Sequence, residues 1–202
     1  MALGLLWGGS FVFTSIAIAE LPPLSLATLR FGLSAAALFM WALVRGVRVM
    51  PTLGLCGAFL VMGLLNNMLP VSLIAVGQQH IPAGMAAILN STAPLFSAVL
   101  TPLLTRNGER FSILRFVGVF FGIAGVAVLS LPPLSGQTQF AAWALLPGLG
   151  AALSYAFAAV WGMRFRGLPG LVIAAGQLLA ATALGLPLAL IVDHAWLLRP
   201  SM

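Results

Sequence analysis

Long apolar runs alternate along the chain with short polar connectors. Read as helices, the runs fall near 2–19, 24–44, 52–77, 82–104, 112–131, 141–162 and 169–192, divided by Pro, Gly and Arg clusters. At ~1.5 Å per residue the shortest reaches ~27 Å, enough for a hydrocarbon core of ~30 Å with slight thinning. The pattern predicts an all-α fold, a polytopic transmembrane helical bundle of seven spans.

The connectors differ in a regular way. "ELPP", "QQHIP" and "PPLSGQTQF" hold no Arg, whereas "RGVRVMP", "RNGERFSILR" and "MRFRG" hold Arg45 and Arg48, then Arg106, Arg110 and Arg115, then Arg164 and Arg166. Positive residues mark cytoplasmic loops. The N-terminus and the loops after spans 2, 4 and 6 are therefore expected inside, and span 7 ends outside near Asp193 and His194. The first span has a small-x-small pattern in "IAIAE" but lacks a basic leading region, so it reads as a retained helix rather than a cleaved signal.

Composition agrees with this picture. Of 202 residues 61% are hydrophobic and 6% charged, against about a quarter charged in an ordinary globular chain. Such a chain cannot dress a water-facing surface, so its expected partner is the lipid bilayer of a cell membrane. The net charge of +6 does not point to nucleic acid, because the nine basic residues are all Arg and are scattered between apolar runs. The single cysteine, Cys56, permits no internal disulfide and reads as a packing residue.

Span 6 opens as span 1 does. "GLLWGGSFVF" (Gly4 to Phe13) sets against "GLGAALSYAF" (Gly148 to Phe157). Past a three-residue insertion, Leu21-Pro22 sets against Leu168-Pro169, and Arg30 against Gln177. The unit is five spans, an odd number, so a second copy must enter the membrane from the opposite side. Inverted repeats of this kind build secondary transporters, whose substrate sites lie near the membrane midplane.

Five stretches carry a resemblance to a known family: "WGGSFVF" in span 1, "LPPLSLATLRF" entering span 2, "AAILNSTAPLFSAVL" in span 4, "GERFS" after it, and "GVFFGIAGVAVL" in span 5. In this order and spacing the chain resembles the EamA-type branch of the drug/metabolite transporter superfamily. The resemblance implies a ten-helix, five-plus-five inverted-repeat fold and export or exchange of small metabolites or drug-like molecules by alternating access at the bacterial inner membrane. Residues 1–131 are then a first repeat of five helices and residues 141–192 a partial second repeat of two. The departure is that seven spans stand where ten are expected. Either a complementing chain completes the second repeat or the chain is a non-transporting fragment or subunit.

Proline cannot donate to the carbonyl four residues before it, which leaves that oxygen free. Pro94 frees the carbonyl of Asn90, and Pro70 frees that of Asn66. Both asparagines lie roughly 12–17 Å below the outer ends of their spans, counted at ~1.5 Å per residue. Asn66 and Asn90, extended by Asn67, Ser91 and Thr92, can offer donors and acceptors to a polar small-molecule substrate. The alternative is that these groups join helices, since hydrogen bonds of this type between spans are common. Asn90-Ser91-Thr92 fits a glycosylation sequon, but its place inside the membrane argues against use.

Arg30 is the one charge well inside a span, about 10 Å below the outer face at ~1.5 Å per residue. It is a candidate for an anionic or zwitterionic substrate, or else it snorkels outward or pairs with Glu20. Trp7 and Ser10 share one face of span 1 with Thr14, and Tyr155 lies in span 6 with Ser154 and Trp161; these either line a cavity or pack. Gly118, Gly122 and Gly125 form a small-residue ridge suited to close helix contact, within the chain or in a homodimer.

No acidic residue occupies a mid-span position, which favours facilitated or exchange transport over proton antiport, with His80 the remaining titratable candidate. The sequence holds no paired carboxylates, HExxH, GxSxG or P-loop. It therefore predicts no catalytic residue, metal or cofactor, and no enzyme.

Overall fold

The computed structural model describes residues 2–47, 53–105, 113–130 and 142–194, and every regular element among them is helical. The helices are α1 (Ala2–Ala17), α2 (Pro23–Val44), α3 (Leu53–Gly63), α4 (Leu69–Gln78), α5 (Ala83–Asn90), α6 (Ala93–Leu104), α7 (Ile113–Ser130), α8 (Leu146–Gly162) and α9 (Gly170–Val192). A π-helical turn, Leu64–Met68, joins α3 to α4, and short 3-10 turns flank α8 at Ala142–Leu145 and Met163–Phe165. Helices thus lie in each of the seven predicted runs. Most of the predicted connectors "RNGERFSILR" and "PPLSGQTQF", with Arg48, Arg106, Glu109 and Arg110, lie outside the described residues.

Two of those spans are not the uninterrupted α-helices expected. Span 3 widens into the π turn, and span 4 breaks at Ser91 and Thr92, which form a turn between α5 and α6.

Prolines set the helix starts. Pro22, Pro82 and Pro169 stand as extended N-caps of α2, α5 and α9, with ψ of 150°, 151° and 137°, where a missing N–H costs nothing. Glycine closes α2. Gly46 adopts φ +65°, its N–H donates to the Leu43 carbonyl, and the Val47 N–H reaches back to Ala42. This is a Schellman ending, and Val47 seals it by packing against Ala42.

Five helices are long and apolar enough to cross a membrane: Pro23–Val44, Gly54–Gln78, Ala83–Leu104, Trp143–Phe165 and Gly170–Val192. Outward faces carry large apolar side chains such as Phe13, Leu33, Phe121 and Ile191, all well exposed. In water that surface would drive aggregation; in lipid it is the ordinary exterior.

The chain forms two compact units. Unit 1 holds residues 1–16 and 73–160, and unit 2 holds residues 17–72 and 161–202. Each draws on both sides of residue 131, where the first repeat was expected to end. The core of unit 1 is Ile81, Ala86, Leu89 and Ala144, backed by Phe11, Met85 and Leu149. Gly148 makes it possible, since a Cβ there would lie 2.8 Å from Leu89 Cδ1.

Unit 2 is built on α2 and α9. Thr28, early in α2, meets Gly185, late in α9, whereas Ala42, late in α2, clusters with Ala175, early in α9. The two helices therefore run antiparallel. They are the pair that the sequence repeat sets against each other, each beginning after a Leu-Pro, and equivalent helices of opposite direction are what an inverted repeat requires. On the other flank of α9, the Phe59 ring stacks on Phe165 at 4.8 Å and 10° and covers Gly176, where a Cβ would lie 2.8 Å from the ring.

Candidate functional site

The π turn follows from Pro70. The proline has no N–H to give the Asn66 carbonyl, and its ring crowds that oxygen in a regular helix. Widening the helix relieves the crowding, and the Leu69 N–H donates five residues back, to Leu64. Such turns recur at functional positions. Asn66 and Asn67 both sit in it, ahead of the fully buried Pro70.

Their side chains have different fates. Asn66 Nδ2 donates to Gln177 Oε1 of α9 at 3.0 Å, so the residue that the repeat sets opposite Arg30 becomes the partner of Asn66. Asn67 is 8% exposed, and its Nδ2 is buried without a hydrogen-bond partner.

The break in span 4 has another origin. Pro94 removes one donor, and two hydroxyls tighten the chain ahead of it. Ser91 Oγ donates to the Ile88 carbonyl and Thr92 Oγ1 to the Leu89 carbonyl, both at 2.6 Å. The backbone tightens at the same place: the Ser91 N–H is shared between the Ala87 and Ile88 carbonyls, and the Thr92 N–H donates to Leu89, three residues back. Thr92 is the N-cap of α6, yet its hydroxyl turns back instead of capping forward. Hydroxyls that bond their own preceding turn compete with the helix ladder. Here they close it off.

Asn90 ends α5 at this break. It is 8% exposed, and its Oδ1 is buried without a hydrogen-bond partner. An unmade bond of this kind costs about 1–3 kcal/mol, so the position asks for a donor. Ser91 and Pro94 are exposed, whereas Thr92 is buried.

The other predicted residues divide between the units. In unit 1, Trp7 is half-exposed and its ring lies 6.4 Å from Tyr155, tilted by 51°. Ser10 accepts at its carbonyl from Thr14 Oγ1 at 2.7 Å. Unit 1 thus gathers Trp7, Ser10, Tyr155, Asn90, Ser91 and Thr92, while Asn66, Asn67, Pro70 and Arg30 belong to unit 2. Arg30 is exposed on α2.

Two polar groups escaped the sequence reading. Gln78, assigned there to a connector, is buried at the end of α4; its Nε2 donates to the Phe11 carbonyl at 2.9 Å and its Oε1 has no hydrogen-bond partner. Asp193 was read only as the end of span 7. Its Oδ2 accepts from the Ser25 N–H at 2.6 Å and the Ser25 hydroxyl at 2.8 Å, so the C-cap residue of α9 caps the first turn of α2. The Gly118/Gly122/Gly125 ridge also divides: a Cβ on Gly122 would lie 2.6 Å from Leu95 Cδ2, whereas Gly118 and Gly125 face open space.

Among the described residues no three His, Cys, Asp or Glu side chains gather as a metal ion would need. What the two interruptions offer is amide chemistry, donors and acceptors without charge, inside apolar helices.

Comparison with known proteins agrees on the kind of molecule. The model of the EamA-like transporter family matches residues 1–131. The chain is 30% identical over 181 residues to the uncharacterized inner membrane transporter YedA of Escherichia coli K12, covering 89% of this chain and 57% of that protein. It is 30% identical over 161 residues to the uncharacterized transporter YvbV of Bacillus subtilis, covering 79% and 50%. A probable terminal-alkyne amino-acid exporter of Streptantibioticus cattleyicolor is 31% identical over 99 residues, 49% of this chain and 31% of that one. The chain spans about half the length of the first two. One crystal structure matches with a TM-score of 0.67 at 23% identity, over 98% of this chain and 66% of that chain, which shows a shared fold.

Proposed function

Because the chain belongs to the EamA-like transporter family, we propose that it exports or exchanges small metabolites or drug-like molecules across the bacterial inner membrane by alternating access. The N-terminus lies in the cytoplasm, as the Arg pattern of the connectors requires. The observation that carries this reading is the buried, unpartnered Asn90 Oδ1 at a break in a membrane-spanning helix. Transporters bind substrate at such discontinuities, where backbone and amide groups are released from the helix ladder.

Asn90 accepts a hydrogen bond from substrate in unit 1. Trp7, Ser10 and Tyr155 belong to the same unit as Asn90 and shape its surroundings; Asn67 and Arg30 are candidates within unit 2 alone. Neutral amides suit a small polar molecule. The name of the Streptantibioticus relative, an amino-acid exporter, supports that size and polarity. The chain acts as a carrier rather than an enzyme, and the absence of a mid-span acid favours exchange or facilitated movement over proton antiport.

Untargeted mass spectrometry of the medium tests the proposal. Cells expressing the chain are expected to release at least one metabolite faster than cells with an empty vector. Indistinguishable media at confirmed membrane levels would contradict it.

A further inference from the structure

Unit 2 presents an unbalanced end. The C-terminus of α2, the turn after α8 and the start of α9 meet there, since Val47 and Leu171 pack against the cluster of Ala42 and Ala175, and Leu168 and Val172 against the cluster that holds Phe165. Arg45, Arg164 and Arg166 are all exposed at this end. The acids of the described residues, Glu20 and Asp193, lie at the other end, beside the start of α2 and the close of α9. This is also the end that the Arg pattern assigns to the cytoplasm.

Two of the three arginines lie over tryptophan faces. The Arg164 guanidinium lies 3.7 Å from the Trp161 ring centroid, and that of Arg45 lies 4.8 Å from Trp41. A guanidinium whose carbon lies over an indole face still has N–H donors for a ligand, a fork that fits two oxygens of a phosphate. The Trp161 ring is itself fixed, because its Nε1–H donates to the Ala58 carbonyl at 3.0 Å. Arg45 is held by the Schellman ending of α2, formed at Gly46 and Val47. Beside it Trp41, Leu43 and Val44 are exposed and apolar, a surface for an acyl chain directly below a cation.

We propose that this end of unit 2 docks the headgroup of an anionic phospholipid, with Arg164 and Arg45 as two phosphate-binding platforms on either side of the start of α9. Charge complementarity selects the occupant. Three exposed cations, at the end away from both acids of the described residues and at the depth where tryptophans favour the interface, match a negatively charged inner leaflet. The inference is separate from transport and requires only that the chain lie in a membrane.

The test uses the whole chain purified in neutral detergent and native mass spectrometry with phosphatidylglycerol as probe. Phosphatidylglycerol is expected to be retained in preference to phosphatidylcholine. Arg45→Gln with Arg164→Gln is expected to weaken retention roughly 25-fold, about fivefold for each charge. Arg45→Lys with Arg164→Lys keeps the charge but not the planar fork, and is expected to restore only part. Equal retention of phosphatidylcholine would overturn the proposal, as would unchanged phosphatidylglycerol retention by the Gln pair. Displacement of the lipid by equimolar inorganic phosphate would reassign the site to a free anion. Should the Gln pair fail to insert, the Lys pair decides, and retention equal to wild type would overturn the stacked platforms.

Discussion

The two interruptions of membrane-spanning helices solve one problem in opposite ways. In unit 2, Pro70 widens the helix, and the neighbouring Asn66 reaches across to Gln177 on α9. In unit 1, Ser91 and Thr92 fold their hydroxyls onto carbonyls only three residues back, and Asn90 is left with an unpartnered oxygen. The same residue types serve as a link between helices in one unit and as a local tightening in the other. Asn66 is thereby tied to a second helix, although Asn67 Nδ2 beside it is unpartnered; at the break in unit 1 the hydroxyls are spent locally. Unit 2 repeats the first pattern in its Ser25–Asp193 and Trp161–Ala58 bonds.

The contrast can be broken first at the packing of unit 2. A Cβ on Gly63 would sit 2.7 Å from the Ala181 nitrogen and 2.9 Å from the Gln177 carbonyl oxygen, and backbone cannot step aside as a side chain can. Gly63→Val is expected to cost about 3 kcal/mol, read as a lowered melting temperature in detergent. An unchanged melting temperature would mean that α3 and α9 are not in this register.

Asp193→Ala comes next. It removes a carboxylate that accepts two bonds at the start of α2, and a loss of about 1–2 kcal/mol is expected from missing caps of this type. A smaller effect belongs to the Asn66–Gln177 bond. A double-mutant cycle with leucine at both positions is expected to give a coupling near 0.6 kcal/mol, the average for such bonds in membranes; a coupling of zero would remove the link between π turn and α9. The smallest effect is expected at Gly118, which faces open space. Gly118→Ala in a lone chain is expected to shift stability by less than about 0.5 kcal/mol, and a larger change would reveal a helix packed on the ridge.

What the sequence disclosed depended on range. Span ends were legible because Pro22, Pro82, Pro169 and Gly46 act within one turn. The Leu-Pro echo set α2 and α9 in correspondence, and their opposite directions followed from an odd number of spans, but that they pack on each other was not legible. The freed carbonyls at Asn66 and Asn90 were also visible, since each needs only a proline four residues on.

The consequences of those carbonyls were not. Whether a proline-bearing helix widens or breaks depends on its neighbours. At Asn66 the adjoining Gly63 lies against the α9 backbone, whereas at Asn90 two hydroxyls compete for the preceding carbonyls. Gln78 was missed because a polar "QQH" beside a proline has the composition of a connector, although its first residue is helical and buried. Asn66 and Gln177 were each singled out, but no sequence signal connects residues 111 positions apart.

Asn90→Leu is the variant that separates the two units most sharply. It fills the position of the unpartnered Oδ1 with a side chain that cannot accept a hydrogen bond, beside the Ser91 and Thr92 hydroxyls that are already engaged. The measurement is the rate at which cells release the metabolite identified from wild-type medium, at matched membrane levels of both proteins. The account predicts that Asn90→Leu inserts normally and loses that release, while Gln177→Leu, which removes only a link between helices, retains most of it. Undiminished release by Asn90→Leu would contradict the assignment of this oxygen to substrate.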